Sequence, residues 1–178
     1  YFRVERIFPG ASQDEGQRSP LAEPGVQVRA GDFILAVDGV DARTVRNFYQ
    51  LLQGKGGQKV SLRVNARASS EGSREVRVGT LTSEQELRYT QWVGERRAMV
   101  DRLSGGRIGY IHLPNAAVDG NRELFKGMLA YADKEALIID DRYNGGGFIP
   151  DRMIELLARK PLNYWKRRGL DPQATPML

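Results

Sequence analysis

The sequence predicts an α+β/α/β chain: a small β-rich unit with one main helix, a linker helix, then the start of a strand-helix-strand-helix α/β layer. Three observations carry that reading. Residues 1–80 hold short alternating runs broken by Gly, Pro and Asp-Gly turns. A capping signature at Ser83 opens a long helical stretch. After Gly105-Gly106, apolar runs alternate with helix-spaced ones. The 178 residues, 40% hydrophobic and 28% charged, lie in the ordinary globular range. No run reaches the roughly 18 apolar residues that a membrane helix needs, so no membrane partner is expected. No cationic-then-apolar leader opens the chain. It begins with Tyr1 rather than Met, inside a strand-like run, which leads us to expect a piece of something longer.

In order, Tyr1 to Phe8 alternates Phe2, Val4 and Ile7 with charged residues, as a half-buried strand does. A polar loop, Gly10 to Ser19, comes next. Phe33 to Val37 reads as a buried strand, closed by an Asp38-Gly39 turn. Thr44 to Gln53 spaces Val45, Phe48, Tyr49 and Leu52 as an amphipathic helix, stopped by Gly54, Gly56 and Gly57. Val60, Leu62 and Val64 alternate as a strand, and Val76 and Val78 begin another after a Ser/Gly turn. Ser83 and Glu86 have capping-box spacing, which predicts a helix to about Leu103 whose face is Tyr89, Trp92, Val93, Val100 and Leu103.

Beyond Gly105-Gly106, Ile108 to Leu113 reads as a strand ended by Pro114. Asn121 to Ala132 reads as a helix with Leu124, Phe125, Met128 and Leu129 inward. Ala136 to Asp140 is a continuous apolar run, the pattern of a strand covered on both faces. Gly145-Gly146-Gly147 comes after it, and Pro150 to Arg159 is helical again. This order predicts a parallel α/β layer. Leu162 to Leu178 adds no complete unit.

Charge narrows the partners. Twenty-seven Lys and Arg against twenty-two Asp and Glu give +5, but the charges are scattered and mixed in sign. Only Lys166-Arg167-Arg168 forms a basic cluster, beside Tyr164-Trp165, so we expect a solvated surface and no nucleic-acid partner. With no cysteine, disulfides, thiol catalysis and thiolate metal sites are excluded. One histidine and no cysteine leave only carboxylates for a metal, so no metal and no cofactor are expected.

The string Asp140-Asp141-Arg142-Tyr143-Asn144-Gly145-Gly146-Gly147 is the strongest candidate for chemistry. Glycines after a buried strand let backbone N–H groups approach a ligand, which suits a phosphate or an oxyanion. No Gly-Lys-Ser/Thr is present after it, and the glycines lack dinucleotide spacing. Adjacent residues on a strand face opposite ways, so Asp140 and Asp141 do not share a proton; Asp141 is expected to pair with Arg142 or a loop N–H. His112, the only histidine, invites a general-base role, yet its place inside an apolar strand, on one face with Tyr110 and Ile108, reads as structural. The serines lie in loops, a strand or helix caps, and none sits at a strand-to-helix elbow.

Two sets of motifs resemble known families. Phe8-Pro9-Gly10, Ser19-Pro20-Leu21, Pro24-Gly25-Val26 and Gly31-Asp32-Phe33-Ile34-Leu35-Ala36-Val37-Asp38-Gly39 resemble, in that order, a PDZ domain over about residues 1–80. Adding Tyr89-x-x-Trp92-Val93, Arg107-Ile108-Gly109-Tyr110-Ile111-His112-Leu113-Pro114 and Asp141-Arg142-Tyr143-Asn144-Gly145-Gly146-Gly147, nearly the whole chain resembles the tail-specific, C-terminal-processing serine proteases, in their tricorn branch. The resemblance implies a small PDZ-like β-barrel at 1–81, a linker helix at 82–106, and at 107–178 a partial serine-protease α/β domain, truncated before the nucleophile. The strand that captures the peptide in a PDZ domain precedes the one matched by Tyr1 to Phe8 and is not found here.

It further implies hydrolysis of short peptides by an activated serine lying beyond Leu178, with the catalytic histidine upstream of Tyr1. The glycine loop would then give a backbone N–H to the oxyanion hole: Gly146 first, with Gly145 and Gly147 as alternatives. Arg142 and Asn144 would hold the loop's shape. Val45, Tyr49 and Leu52 would either face the peptide groove or pack the core. The expected setting is a cytoplasmic homo-oligomer acting on peptide substrates, and the chain alone is expected to be inactive. The alternative is a non-enzymatic PDZ peptide-binding adaptor.

Overall fold

A computed structural model describes residues 1–8, 10, 18–148 and 150–175. The chain divides into two compact units, Tyr1–Trp92 and Val93–Leu178. Most of the expected Gly10–Ser19 loop, residues 11–17, lies outside the described residues.

The first unit is built on one antiparallel sheet. Its strands are β1 (Phe2–Arg3), β2 (Phe33–Val37), β3 (Val40–Asp41), β4 (Lys59–Asn65) and β5 (Arg74–Gly79), in the order β1-β2-β4-β5 with β3 paired to β2. Among the described residues this sheet is open, and the expected barrel closure is not seen. The run expected as a strand over Tyr1 to Phe8 is regular only at Phe2–Arg3, although Val4 still exchanges backbone bonds with Asp32 and Gly31. Asp38 (φ 48) and Gly39 (φ 82) both take positive φ, which makes the two-residue turn whose twist suits a hairpin. The Asp38 carboxylate braces that turn against Lys55 and the Ser61 N–H. The core comprises Val4, Val28, Ile34, Val37, Ala42, Leu51, Val60, Leu62, Val64 and Val78.

The amphipathic helix expected over Thr44 to Gln53 is instead two short 3₁₀ turns, Ala42–Thr44 and Phe48–Leu52. Each has its own cap: Asp41 accepts from Arg43 N–H, and Asn47 accepts from Tyr49 N–H. An extended Val45 and Asn47 separate them, and side chains that bond the nearby backbone offer it an alternative to continuous helix.

Helix α1 (Gln85–Ser104) begins in the first unit and ends in the second. Ser83 Oγ accepts from Gln85 N–H, one residue earlier than a capping box requires. Of the face expected for this helix, Leu103 is exposed, and Leu87 is the residue that is buried.

In the second unit β6 (Ile108–His112) and β7 (Ala136–Asp140) pair in parallel, Ile108 opposite Ala136 and His112 opposite Asp140. Between them runs α2 (Val118–Ala130), and α3 (Pro150–Leu157) comes after the glycine loop. Ile111, Leu113, Leu124, Met153 and Leu156 form the core. Phe125 and Leu129, expected inward, are 48% and 53% exposed. The inward stripe of α2 is instead Gly120, Leu124 and Gly127, because a Cβ on Gly127 would stand 2.4 Å from Ile111 Cγ1. Only a residue without a side chain lets the helix come this close to the strand. Ile138 is also exposed, so the two-sided cover that the β7 run suggests is not seen among the described residues. A short antiparallel hairpin, β8 (Asn163–Trp165) with β9 (Gln173–Thr175), lies in the stretch expected to add no complete unit, and Lys166-Arg167-Arg168 lies in its connection.

Candidate functional site

The glycine loop leaves the C-terminal end of β7, the end of a parallel strand where α/β sheets place their ligands. Its foundation is Asp140, whose side chain is 7% exposed. Arg142 donates to that carboxylate from its backbone N–H at 3.0 Å, its Nε at 2.9 and 3.1 Å, and its Nη2 at 2.5 Å. Tyr110 Oη on β6 donates to the same carboxylate at 2.6 Å. The Arg142 guanidinium holds the Asp140 carboxyl well below the usual carboxylate range, outweighing the burial that opposes it. Burial, then the hydrogen bond to Asp140, pushes the Tyr110 phenol up to about 12. Arg142 pairs with Asp140; Asp141, expected to pair with Arg142 or a loop N–H, accepts at Oδ1 from the side-chain Nδ2 of Asn144 at 2.6 Å.

Asn144 organises the glycine turns. Its Nδ2 also donates to Leu113 O at 3.2 Å, and its Oδ1 accepts from Gly146 N–H at 2.6 Å. Gly145 N–H donates to Pro114 O at 2.9 Å, and Gly146 O accepts from Ala116 N–H at 2.9 Å. The loop is thus laced to the segment after β6. Gly147 is required by contact: a Cβ there would meet the Ala116 carbonyl oxygen at 2.3 Å. Its own N–H makes no hydrogen bond among the described residues. Tyr143, before these turns, takes φ 62, a left-handed conformation uncommon for a bulky side chain.

The first unit carries a cleft of about 960 Å³, lined among others by Ile7, Phe8, Leu21 and Phe48. Tyr49 and Leu52 line it, Tyr49 well exposed and Leu52 half-buried. Val45 packs against the core instead. Leu87 and Arg88 of α1 reach the same cleft, with the Arg88 guanidinium 5.2 Å from the Phe8 ring centre.

Residues 1–83 match the family described as the tricorn protease PDZ domain. The chain is 39% identical over 175 residues to tricorn protease homolog 1 of Streptomyces coelicolor, covering 98% of this chain and 16% of that protein. It is 32% identical over 177 residues to the tricorn protease of Thermoplasma acidophilum, again 98% and 16%. The crystal structure of the tricorn protease superposes with a TM-score of 0.79 at 30% identity, covering 98% of this chain and 17% of that one. Over 98% of its own length, then, the chain is similar to tricorn protease. It spans about one sixth of the length of these proteins.

The three loop glycines stand in unlike states. Gly145 and Gly146 give their N–H groups to Pro114 O and Asn144 Oδ1, and Gly147 does not share in that lacing. His112 is 4% exposed, with Nε2 2.7 Å from Arg142 O. The residues that sequence reasoning missed are Tyr110 and Asp140 as a buried bracket for Arg142. Their signal was a polar residue at alternate positions of one strand, opposite an acid that ends the next.

Proposed function

We propose that this chain is the PDZ and oxyanion-loop portion of a serine-type peptidase that hydrolyses short peptides in its full-length form. The kinship to tricorn proteases supports it, and the state of the glycine loop carries it. An oxyanion hole needs a backbone donor that is fixed in place and not already engaged. Of the three glycines, Gly147 fits best, because the N–H groups of Gly145 and Gly146 are committed within the loop. When a nucleophile adds to the scissile carbonyl, negative charge gathers on its oxygen, and the Gly147 N–H would meet it without first losing a partner.

Within this reading the division is 1–81 for peptide binding, 82–106 for the linker helix and 107–178 for the α/β part. The cleft at Tyr49 and Leu52 would position the peptide, and Val45 would pack against the core. Nucleophile and base come from other parts of the parent, which we take to be a cytoplasmic homo-oligomer. Fluorophosphonate labelling of the full-length parent, with the modified serine located by mass spectrometry, tests this. The parent should label at a serine outside residues 1–178, the isolated chain should not label, and Gly147→Ala in the parent, which keeps the N–H but drives a Cβ into the Ala116 backbone and so moves that N–H, should lower kcat. A parent that resists labelling and cleaves no short peptide would sink the proposal.

A further inference from the structure

Arg142 is held from three directions. Its backbone N–H and its guanidinium both go to Asp140, and its carbonyl oxygen lies 2.7 Å from His112 Nε2. A carbonyl can only accept, so Nε2 carries the hydrogen and donates it. That leaves Nε2 itself unable to take a proton from a nucleophile. His112 is also the last residue of β6, directly opposite Asp140 in the ladder, two positions after Tyr110. One strand therefore ties down both ends of the bracket: Tyr110 holds the carboxylate, and His112 holds the carbonyl of the residue that the carboxylate binds.

The peptide group that His112 holds is the one leading into Tyr143, with its positive φ, and from there into Asn144 and the glycines. If the Arg142 carbonyl turns, the Tyr143 conformation and the Asn144 contacts to Leu113 and Gly146 turn with it. We propose that His112 is a positioning residue of the glycine loop, whose Nε2–H fixes the Arg142 carbonyl and through it sets the direction of the Gly147 N–H toward a substrate oxyanion. This rests on the peptidase reading above. It differs from a merely buried histidine in requiring a donor at the reach of Nε2, not a filler of the same volume.

The test uses the full-length parent with three variants, His112→Gln, His112→Asn and His112→Leu. Gln carries an amide N–H at about the reach of Nε2; Asn falls short of it; Leu has none. Two readouts are taken: kcat and KM on a tripeptide p-nitroanilide, and hydrogen–deuterium exchange of the segment holding residues 143–147, with β6 and α2 as internal controls for folding. Leu and Asn should lower kcat by roughly 10- to 100-fold, the cost of a reacting group displaced by about 1 Å. Their KM should change less than twofold, and exchange should rise at residues 143–147 with the controls unmoved. Gln should recover most of both. Equal behaviour of Gln and Asn, or unchanged exchange in the Leu variant, would overturn the proposal. A parent that cleaves nothing, yet shows the expected exchange pattern, would remove the peptidase reading and leave His112 as the loop's tie.

Discussion

Among the described residues, each unit holds the same local device. At the end of β3, Asp41 brackets Arg43; at the end of β7, Asp140 brackets Arg142. In both, the Asp-x-Arg spacing lets one carboxylate accept from the arginine's backbone N–H, its Nε and its Nη2. The surroundings differ. The Asp41 side chain is 38% exposed, and the pair braces the turn that opens Ala42–Thr44. That of Asp140 is 7% exposed and carries a second donor from Tyr110, while His112 holds the far side of its arginine. Exposed pairs compete with water and gain little, whereas buried ones leave a costly orphan when broken. One bracket finishes a turn; the other is the floor of the candidate site.

Substitutions should separate the two. Asp140→Ala should cost the second unit about 1–3 kcal/mol in urea unfolding, because it leaves the buried Tyr110 hydroxyl unpaired. Asp41→Ala should lower the midpoint by distinctly less, and equal effects would erase the distinction. Next in size is alkaline sensitivity. The Tyr110 phenol is raised to about 12 in the fold, so its contribution is whole below its ordinary value of 10.0 and drains away as pH climbs toward 12. A melting-temperature series should fall across that window, and Tyr110→Phe should remove the fall. At the acid end both carboxyls lie below 3.8, so their contributions are whole above that pH and fade as pH drops, for Asp41 through about 2. In 1 M salt the smaller, exposed share from Asp41 should vanish while that of Asp140 persists, as Asp140→Asn and Asp41→Asn titrations by circular dichroism would show.

Much of the framework was legible because it rests on local signals. The apolar run of β2, the Asp38-Gly39 turn and the alternation of β4 need only neighbouring residues to read. Misreadings arose where a residue's role depends on something distant or small. Phe125 and Leu129 looked inward because glycines were not counted as core positions, yet Gly120 and Gly127 make the close face of α2. The turns at 42–52 looked like one helix because periodicity does not register the Asp41 and Asn47 caps that divide it. The glycine loop was plain, and so was the structural work of Arg142 and Asn144. Which acid Arg142 binds, and which glycine N–H groups are spent within the loop, depended on contacts to Tyr110, Leu113 and Pro114 that adjacent residues do not reveal.

The two outer ties of the Arg142 bracket also set an order of assembly. Arg142 and Asp140 are two residues apart and can find one another in a short stretch of chain. Tyr110 with Asp140, and His112 with Arg142, each close a span of 30 residues. Such closures carry an entropic cost that is offset only when a ladder forms with them. The bracket can therefore flicker into being early, but it is fastened only after β6 and β7 have paired. In pulse-labelled refolding the glycine loop should gain protection after the Asp38-Gly39 hairpin, which makes the site's geometry one of the last things the chain acquires.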